Sequence, residues 1–151
     1  QSGDMELELE RRPLADIVDN ALKSLGPVIA KHPVANEVPR DLPAVSADPM
    51  LLERTLGEWL TEPKAQVWFE ARAGQNARGG VQLDRRTRMA YDARHVYING
   101  ESHRASGSDA RLMRALADQR RLEAAAMRSA SQEARTLLGE WLADGWLQAL
   151  R

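Results

Sequence analysis

The sequence of 151 residues contains no cysteine. That excludes disulfide staples, thiolate zinc sites and a cysteine nucleophile, and it fits a reducing, cytoplasmic setting. Long apolar runs are missing too. No stretch approaches the roughly 18 apolar residues of a membrane-spanning helix, and no basic-then-apolar leader opens the chain, so neither membrane nor secretion is expected. Aromatics are scarce, with one Phe, two Tyr and four Trp, so the tryptophans must supply much of the large apolar area. There is no surplus of either charge: the formal net charge is −1, unlike the dense basic face of a typical nucleic-acid binder.

What is present is ordinary for a soluble globular chain, at 43% hydrophobic and 28% charged, and too apolar for disorder. The charge is unevenly spread. Residues 1–56 hold ten acids and six bases, residues 57–151 twelve acids and fifteen bases. Lys64 is the one lysine after residue 56, where every other base is arginine.

The apolar spacing predicts an α+β protein with short strands and about four helices. Acid and apolar residues alternate over Glu6–Leu9, as in a half-exposed strand. Pro13 opens a helix whose stripe is Leu14, Ile17, Val18, Ala21, Leu22 and Leu25. Gly26-Pro27 kinks it, and the pattern resumes through Val28 and Ile29 to Lys31. Short strands are expected at Val34–Val38 and Ala44–Ser46. Asp48-Pro49 starts a helix with Leu52, Leu56, Trp59 and Leu60 on one face, stopped by Glu62-Pro63. Residues 64–70 read as a strand and 71–80 as a glycine-rich hinge loop. Thr87–Tyr91 and His95–Asn99 form a hairpin around Asp92-Ala93-Arg94, closed by the Asn99-Gly100 turn. Ser108 or Asp109 caps a helix to about Arg121 with Leu112, Met113 and Leu116 inward. A capping box at Ser129–Gln132 opens the last helix, with Ala134, Leu137, Leu138, Trp141 and Leu142 inward and Gly145 at its end. Trp146-Leu147 then packs back.

Few residues offer chemistry. The histidines are His32, His95 and His103, with no His-x-Asp/Glu pair, so a two-histidine, one-carboxylate iron site is not expected. Ser24, Ser46, Ser102 and Ser108 lack a nucleophile-elbow context, and no carboxylate pair stands out as acid and base. No catalytic, metal or cofactor residue is therefore nominated. Arg85, Arg86 and Arg88 could contact an anion, because guanidinium forks match phosphate geometry, although a solvated strand edge is the simpler account. Trp59, Trp68, Phe69, Trp141 and Trp146 serve either as core or as an interface, where aromatics are enriched.

Two resemblances follow. QSGDMELELERRPLADIVDNALKSLGP with KHPVANEVPRDLPAVSADPMLLERTL resembles a potassium-responsive sensor histidine kinase, from the end of the phospho-acceptor helix into the ATP-binding domain. In that family the helix starting LLERTL runs into an asparagine-bearing nucleotide box. Here Gly57-Glu58-Trp59-Leu60-Thr61-Glu62-Pro63 holds no asparagine, and the later glycine-rich boxes do not follow. The family's phosphorylated histidine is expected upstream of Gln1, and His32 is not that residue. From about Leu56, GEWLTEPKAQVWFEA, GVQLDRRTRMAYDARHVYINGESHRASGSDARLMRALADQRRL and LLGEWLADGWL resemble the C-terminal region of bacterial JmjC-type cupin oxygenases, the ribosomal-protein hydroxylases. That resemblance implies a winged-helix-like tail after the catalytic and dimerisation domains, without the iron-binding cupin.

The expected organisation is a kinase-like segment, 1–56, and an oxygenase-tail-like segment, 57–151, which can merge into one domain. The two meet at LLERTLGEWL, where both families carry a similar helix, so the sequence reads as a chimera, recombined or engineered, or as a natural fusion. The expected function is non-enzymatic: at most binding or self-association as a dimer. The alternatives are a peptide- or protein-binding winged-helix module, an accessory fragment of a 2-oxoglutarate-dependent ribosomal-protein hydroxylase and, less favoured, nucleic-acid binding.

Overall fold

The computed structural model describes residues 7–24, 34–71, 74 and 77–150. Five α-helices and eight strands are present among them: β1 (Glu10–Arg12), α1 (Leu14–Ser24), β2 (Val45–Ala47), α2 (Pro49–Thr61), β3 (Gly80–Leu83), β4 (Met89–Tyr91), β5 (His95–Ile98), β6 (Glu101–Arg104), α3 (Gly107–Gln119), β7 (Arg121–Glu123), α4 (Ala124–Ser129), α5 (Gln132–Ala143) and β8 (Leu147–Ala149). The α+β class read from the sequence is the class observed. No helix among the described residues is long and apolar enough to cross a membrane.

The strands form three small antiparallel sheets, ordered β1-β2, β7-β3-β8 and β4-β5-β6. The main core lies between the second and third sheets and helices α3 and α5. Val81, Ile98, Leu116, Leu138, Trp141 and Leu147 are its most deeply buried members. A second, smaller cluster joins Ala90 and Tyr97 to Leu56 and Leu60 of α2. Burying such side chains stabilises the fold by roughly 1.5–3 kcal/mol each.

Local chemistry explains the helix ends. The Asp48 carboxylate accepts from the N–H groups of Met50 and Leu51, and Pro49 occupies the first turn, so α2 starts where expected. The same carboxylate accepts from Glu8 N–H, fixing the approach of β1 to that helix end. On α1, Ala15, Ile17 and Ala21 are buried. Asn36 ties the following loop down by donating to Ala15 O and Asp19 Oδ1, both at 2.9 Å. Helix α5 is capped by Ser131, whose hydroxyl accepts from Ala134 N–H. Its end is closed by Gly145 at φ +76°, a left-handed position that favours glycine.

Several expectations need correction. Val34–Val38 forms no strand, because Asn36 turns its side chain onto α1 and onto Val38 N–H instead of leaving a clean edge. Glu6 lies outside the described residues; the first described strand is Glu10–Arg12 and not residues 7–9, since its partner Val45–Ala47 sets the register. Residues 64–70 form no strand: Val67 N–H closes a turn on Lys64 O, and Gln66 takes φ +73°. Within the expected hinge, Gly80 starts β3, the centre of a sheet. Trp59 is not inward; α2 is turned so that Gly57 and Thr61 are buried and Trp59 is 66% exposed. Ser106, not Ser108 or Asp109, occupies the cap position of α3. Ser129 closes α4 through Ala126 O, leaving Ser131 to cap α5. The expected Gly26-Pro27 kink, the Val28–Lys31 continuation and His32 lie outside the described residues.

Candidate interaction surface

The three arginines nominated for anion contact divide. Arg86 lies beside Asp84, with Nε 2.9 Å from Oδ1 and Nη2 3.2 Å from Oδ2. It also donates to Trp68 O at 2.7 Å and covers the Phe69 ring at 5.3 Å. Arg88 donates to Glu62 O at 2.8 Å. Both guanidinium groups therefore hold the main chain of 62–68 against the start of the β4 strand. Arg86 has Nε, Nη1 and Nη2 engaged, whereas Arg88 is exposed and spends Nη1 alone. Among the described residues, only Arg85 of the three has no protein partner.

Arg85 borders an open trough of about 720 Å³ on the polar face of β3 and β8. Its floor is a fixed amide and carboxylate ladder. Gln82 donates to Gln148 Oε1, and Gln148 donates to Asp84 Oδ2. The Arg86 side chain is the main reason the Asp84 carboxyl is held down to about 2; burial opposes this, and Arg86 N–H and Gln148 reinforce it. With its acceptor capacity committed to these donors, Asp84 is held as an anion in the wall at neutral pH.

The five aromatic positions also divide. Trp141 is 1% exposed and belongs to the core, so it is removed from the interface set. Trp146 and Phe69 are half-buried and meet edge to face with ring centroids 6.4 Å apart. Trp68 is 80% exposed although the Arg86 clamp fixes its carbonyl, and Trp59 projects from α2 just before the clamped stretch. The protein thus presents two large apolar side chains on or beside an immobilised backbone, an arrangement suited to contact and without a reacting group.

One carboxyl is shifted upward. Burial raises the Glu53 pKa, and the nearby Asp92 anion adds to it; the residue lines a small cavity with Asp92 and His95. Asp92 is itself committed. Its Oδ1 accepts from Arg94 and His95 N–H at 2.6 Å, and its Oδ2 accepts from Tyr97 Oη. Burial works against its ionisation, but those bonds outweigh it and the pKa is lowered. Sequence reading missed this cluster because Glu53 and Asp92 are far apart in the chain and share no motif.

A site joining His95 and His103 on one iron does not fit the sheet geometry. His95 pairs with Arg104 and His103 with Val96, which sets the two imidazoles on opposite faces of the β4-β5-β6 sheet. They cannot converge on one ion. Among the described residues no group of three or more His, Asp or Glu could hold a metal.

Comparison with known proteins gives a consistent picture of the fold. No curated protein matches the sequence. Among solved structures, the X-ray structure of E. coli ycfD is similar at a TM-score of 0.53 and 14% identity, covering 86% of this chain and 44% of that one. This chain therefore spans less than half the length of that protein. The likeness takes in part of the sequence before Ala44, since residues 44 to the end make up a smaller share than 86%. The description ROXA-like winged helix matches residues 44–148 and so takes in β2 and the whole of α2. The chain belongs to the ROXA-like winged helix family.

Proposed function

We propose that this chain is a non-enzymatic, protein-binding accessory module of a 2-oxoglutarate-dependent ribosomal-protein hydroxylase. The observation that carries the reading is the family match over residues 44–148. The surface adds support: Arg86 and Arg88 hold backbone, the buried Asp84 and Asp92 are committed to partners, and Trp59, Trp68 and strand edges are exposed. The cysteine-free sequence fits work in the cytoplasm. Nucleic acid is disfavoured by α5, the helix leading into β8. It exposes Glu133 and Glu140 against Arg135, whereas phosphate contacts require an excess of positive charge.

The likeness of residues 1–56 to a sensor kinase is a likeness of sequence. A continuous fold is favoured over a chimeric seam near Leu56, because the family match starts at residue 44 and Leu56 packs with Leu60 against Ala90 and Tyr97. Gly57 lies under the Tyr97 ring, and Thr61 Oγ1 accepts from Gly100 N–H at 3.2 Å.

Two measurements test the reading. Calorimetry with magnesium ATP, and with manganese plus 2-oxoglutarate, is expected to show no binding by this chain; uptake of either overturns the non-enzymatic part. Titration against purified ribosomal proteins is expected to give saturable binding, and its absence overturns the protein-binding part.

Self-association is a second reading, favoured by the two-stranded β1-β2 ribbon. Its outer edges are unpaired among the described residues, and Leu7 and Leu9 beside it are 50% and 63% exposed. Such an edge is a template for pairing with another copy. Light scattering at micromolar concentration is expected to exceed the 16.8 kDa of one chain; a clean monomer removes this reading.

A further inference from the structure

Strand β6 is the outer strand of the β4-β5-β6 sheet. Its register with β5 pairs His103 with Val96 and Glu101 with Ile98, and Ala105 N–H continues the ladder to Arg94 O at 3.0 Å. Antiparallel bonding alternates along a strand. Residues 101, 103 and 105 therefore bond to β5, and the main-chain groups of Ser102 and Arg104 point outward. Among the described residues no strand lies beyond them.

A groove of about 120 Å³ runs alongside, large enough for one apolar side chain. The stretch from His103 to Ser106 forms one wall, Ala134 and Leu137 of α5 form the other, and Val96 and Met113 lie at the bottom. His103 is held in place edge-on to Trp141, with ring centroids 5.3 Å apart. The rim is acidic. Glu133, Leu137 and Glu140 follow the i, i+4, i+7 spacing of a single helix stripe. Glu133 lines the groove, and Glu140 acts on His103 electrostatically, as does Glu101 from β6. Asp109 is spent on Ser131, accepting from its N–H and hydroxyl. Among the residues lining the groove the one guanidinium is that of Arg104.

We propose that the β6 edge and its groove with α5 take an extended basic peptide as a fourth strand, with an apolar side chain in the groove and lysine or arginine facing Glu101, Glu133 and Glu140. Main-chain bonds to Ser102 and Arg104 supply affinity, and the groove and rim supply selectivity. This rests on the protein-binding reading above and narrows it to one site and one partner chemistry. Ribosomal proteins are one source of such segments; other basic proteins offer the same chemistry.

The test is fluorescence anisotropy on the full chain with a labelled Lys-Val-Arg-Leu-Lys-Val peptide and its Glu-Val-Glu-Leu-Glu-Val counterpart. Saturable binding of the basic peptide alone is expected, together with amide-exchange protection of Ser102 and Arg104. Arg104→Pro removes an outward N–H without touching the β5 ladder, the position where an edge strand tolerates proline. It is expected to weaken binding about tenfold, the loss of one or two hydrogen bonds. The double variant Glu133→Lys/Glu140→Lys changes exposed side chains only and is expected to reverse the preference between the two peptides. Circular dichroism confirms that each variant is folded. Preference of the parent for the acidic peptide, or no saturable binding up to millimolar concentration, overturns the proposal. So does basic-peptide binding that neither variant alters; if ribosomal proteins still bind, only the site is lost and the protein-binding reading stands.

Discussion

Gly57 and Tyr97 are matched by shape: a β-carbon on residue 57 would lie no more than 2.6 Å from the Cζ, Cε1 and Cε2 atoms of the buried ring. The ring cannot swing away freely, because its hydroxyl donates to Asp92 Oδ2. Gly57→Ala gains about 1 kcal/mol of helix propensity but forces an overpacked contact costing about 1–3 kcal/mol. A net loss of up to about 2 kcal/mol is expected in chemical denaturation, and increased stability would show that α2 and β5 are not fitted to each other.

Acid should act through Asp84. Its folded pKa, about 2, lies below its ordinary 3.8 because of Arg86 first, with Gln148 adding to it. A depressed carboxyl pKa contributes stability in full above the unfolded value and loses it as pH falls through the folded value. The contribution of Asp84 therefore drains between about pH 4 and pH 2. Asp84→Asn is expected to be less stable at neutral pH and to lose less of its stability across that window, as followed by denaturant melts at stepped pH. Parallel curves for the two proteins would count against it.

Removing both clamps tests the Trp-bearing segment. Arg86→Ala with Arg88→Ala deletes the donors to Trp68 O and Glu62 O. Limited proteolysis is expected to cut severalfold faster between residues 62 and 71, while the core tryptophan signal from Trp141 persists. Unchanged cleavage would mean that the segment is held by other contacts.

Ser131 joins two helices. Its hydroxyl accepts from Ala134 N–H and donates to Asp109 on α3, while its own N–H donates to the same carboxylate at 3.3 Å. Ser131→Ala removes the cap and leaves Asp109 short of a donor, so about 1–2 kcal/mol of stability is expected to be lost. Ser129→Ala, at the position favoured by the sequence pattern, is expected to cost less; the reverse order in thermal melts would restore the earlier placement.

Sequence reading succeeded where a single local rule decides. The stripe of α5, the Asp48-Pro49 start of α2 and the hairpin around Asp92-Ala93-Arg94 all follow from spacing and turn chemistry within a few residues. It failed where distant partners decide. Nothing within 64–70 announces that Arg86 will take the Trp68 carbonyl or that Arg88 will hold Glu62 O just before it. Gly80 reads as the end of a loop and residues 81–83 carry no strand pattern of their own, because their strand neighbours, β7 and β8, come far later in the chain. The Asn99-Gly100 turn was legible, but its consequence, the strand Glu101–Arg104, was not drawn, and with it went the β6 edge and the acidic groove. Trp59 shares a helix stripe with apolar residues, which left core and interface both open; the buried residues of that helix are Gly57 and Thr61, and Trp59 is exposed.

The place of β3 between β7 and β8 has a consequence for biosynthesis. Gln82 and its partner Gln148 are 66 positions apart, so the central strand leaves the ribosome long before the strand that completes its sheet. Closing so long a loop is entropically costly before it is rewarded, and the sheet cannot be finished until Leu147–Ala149 has emerged. Folding of the winged-helix core is therefore completed only once β8 is available. A fragment that begins after β3 has lost the strand on which both neighbours zip and is expected to aggregate or remain unfolded.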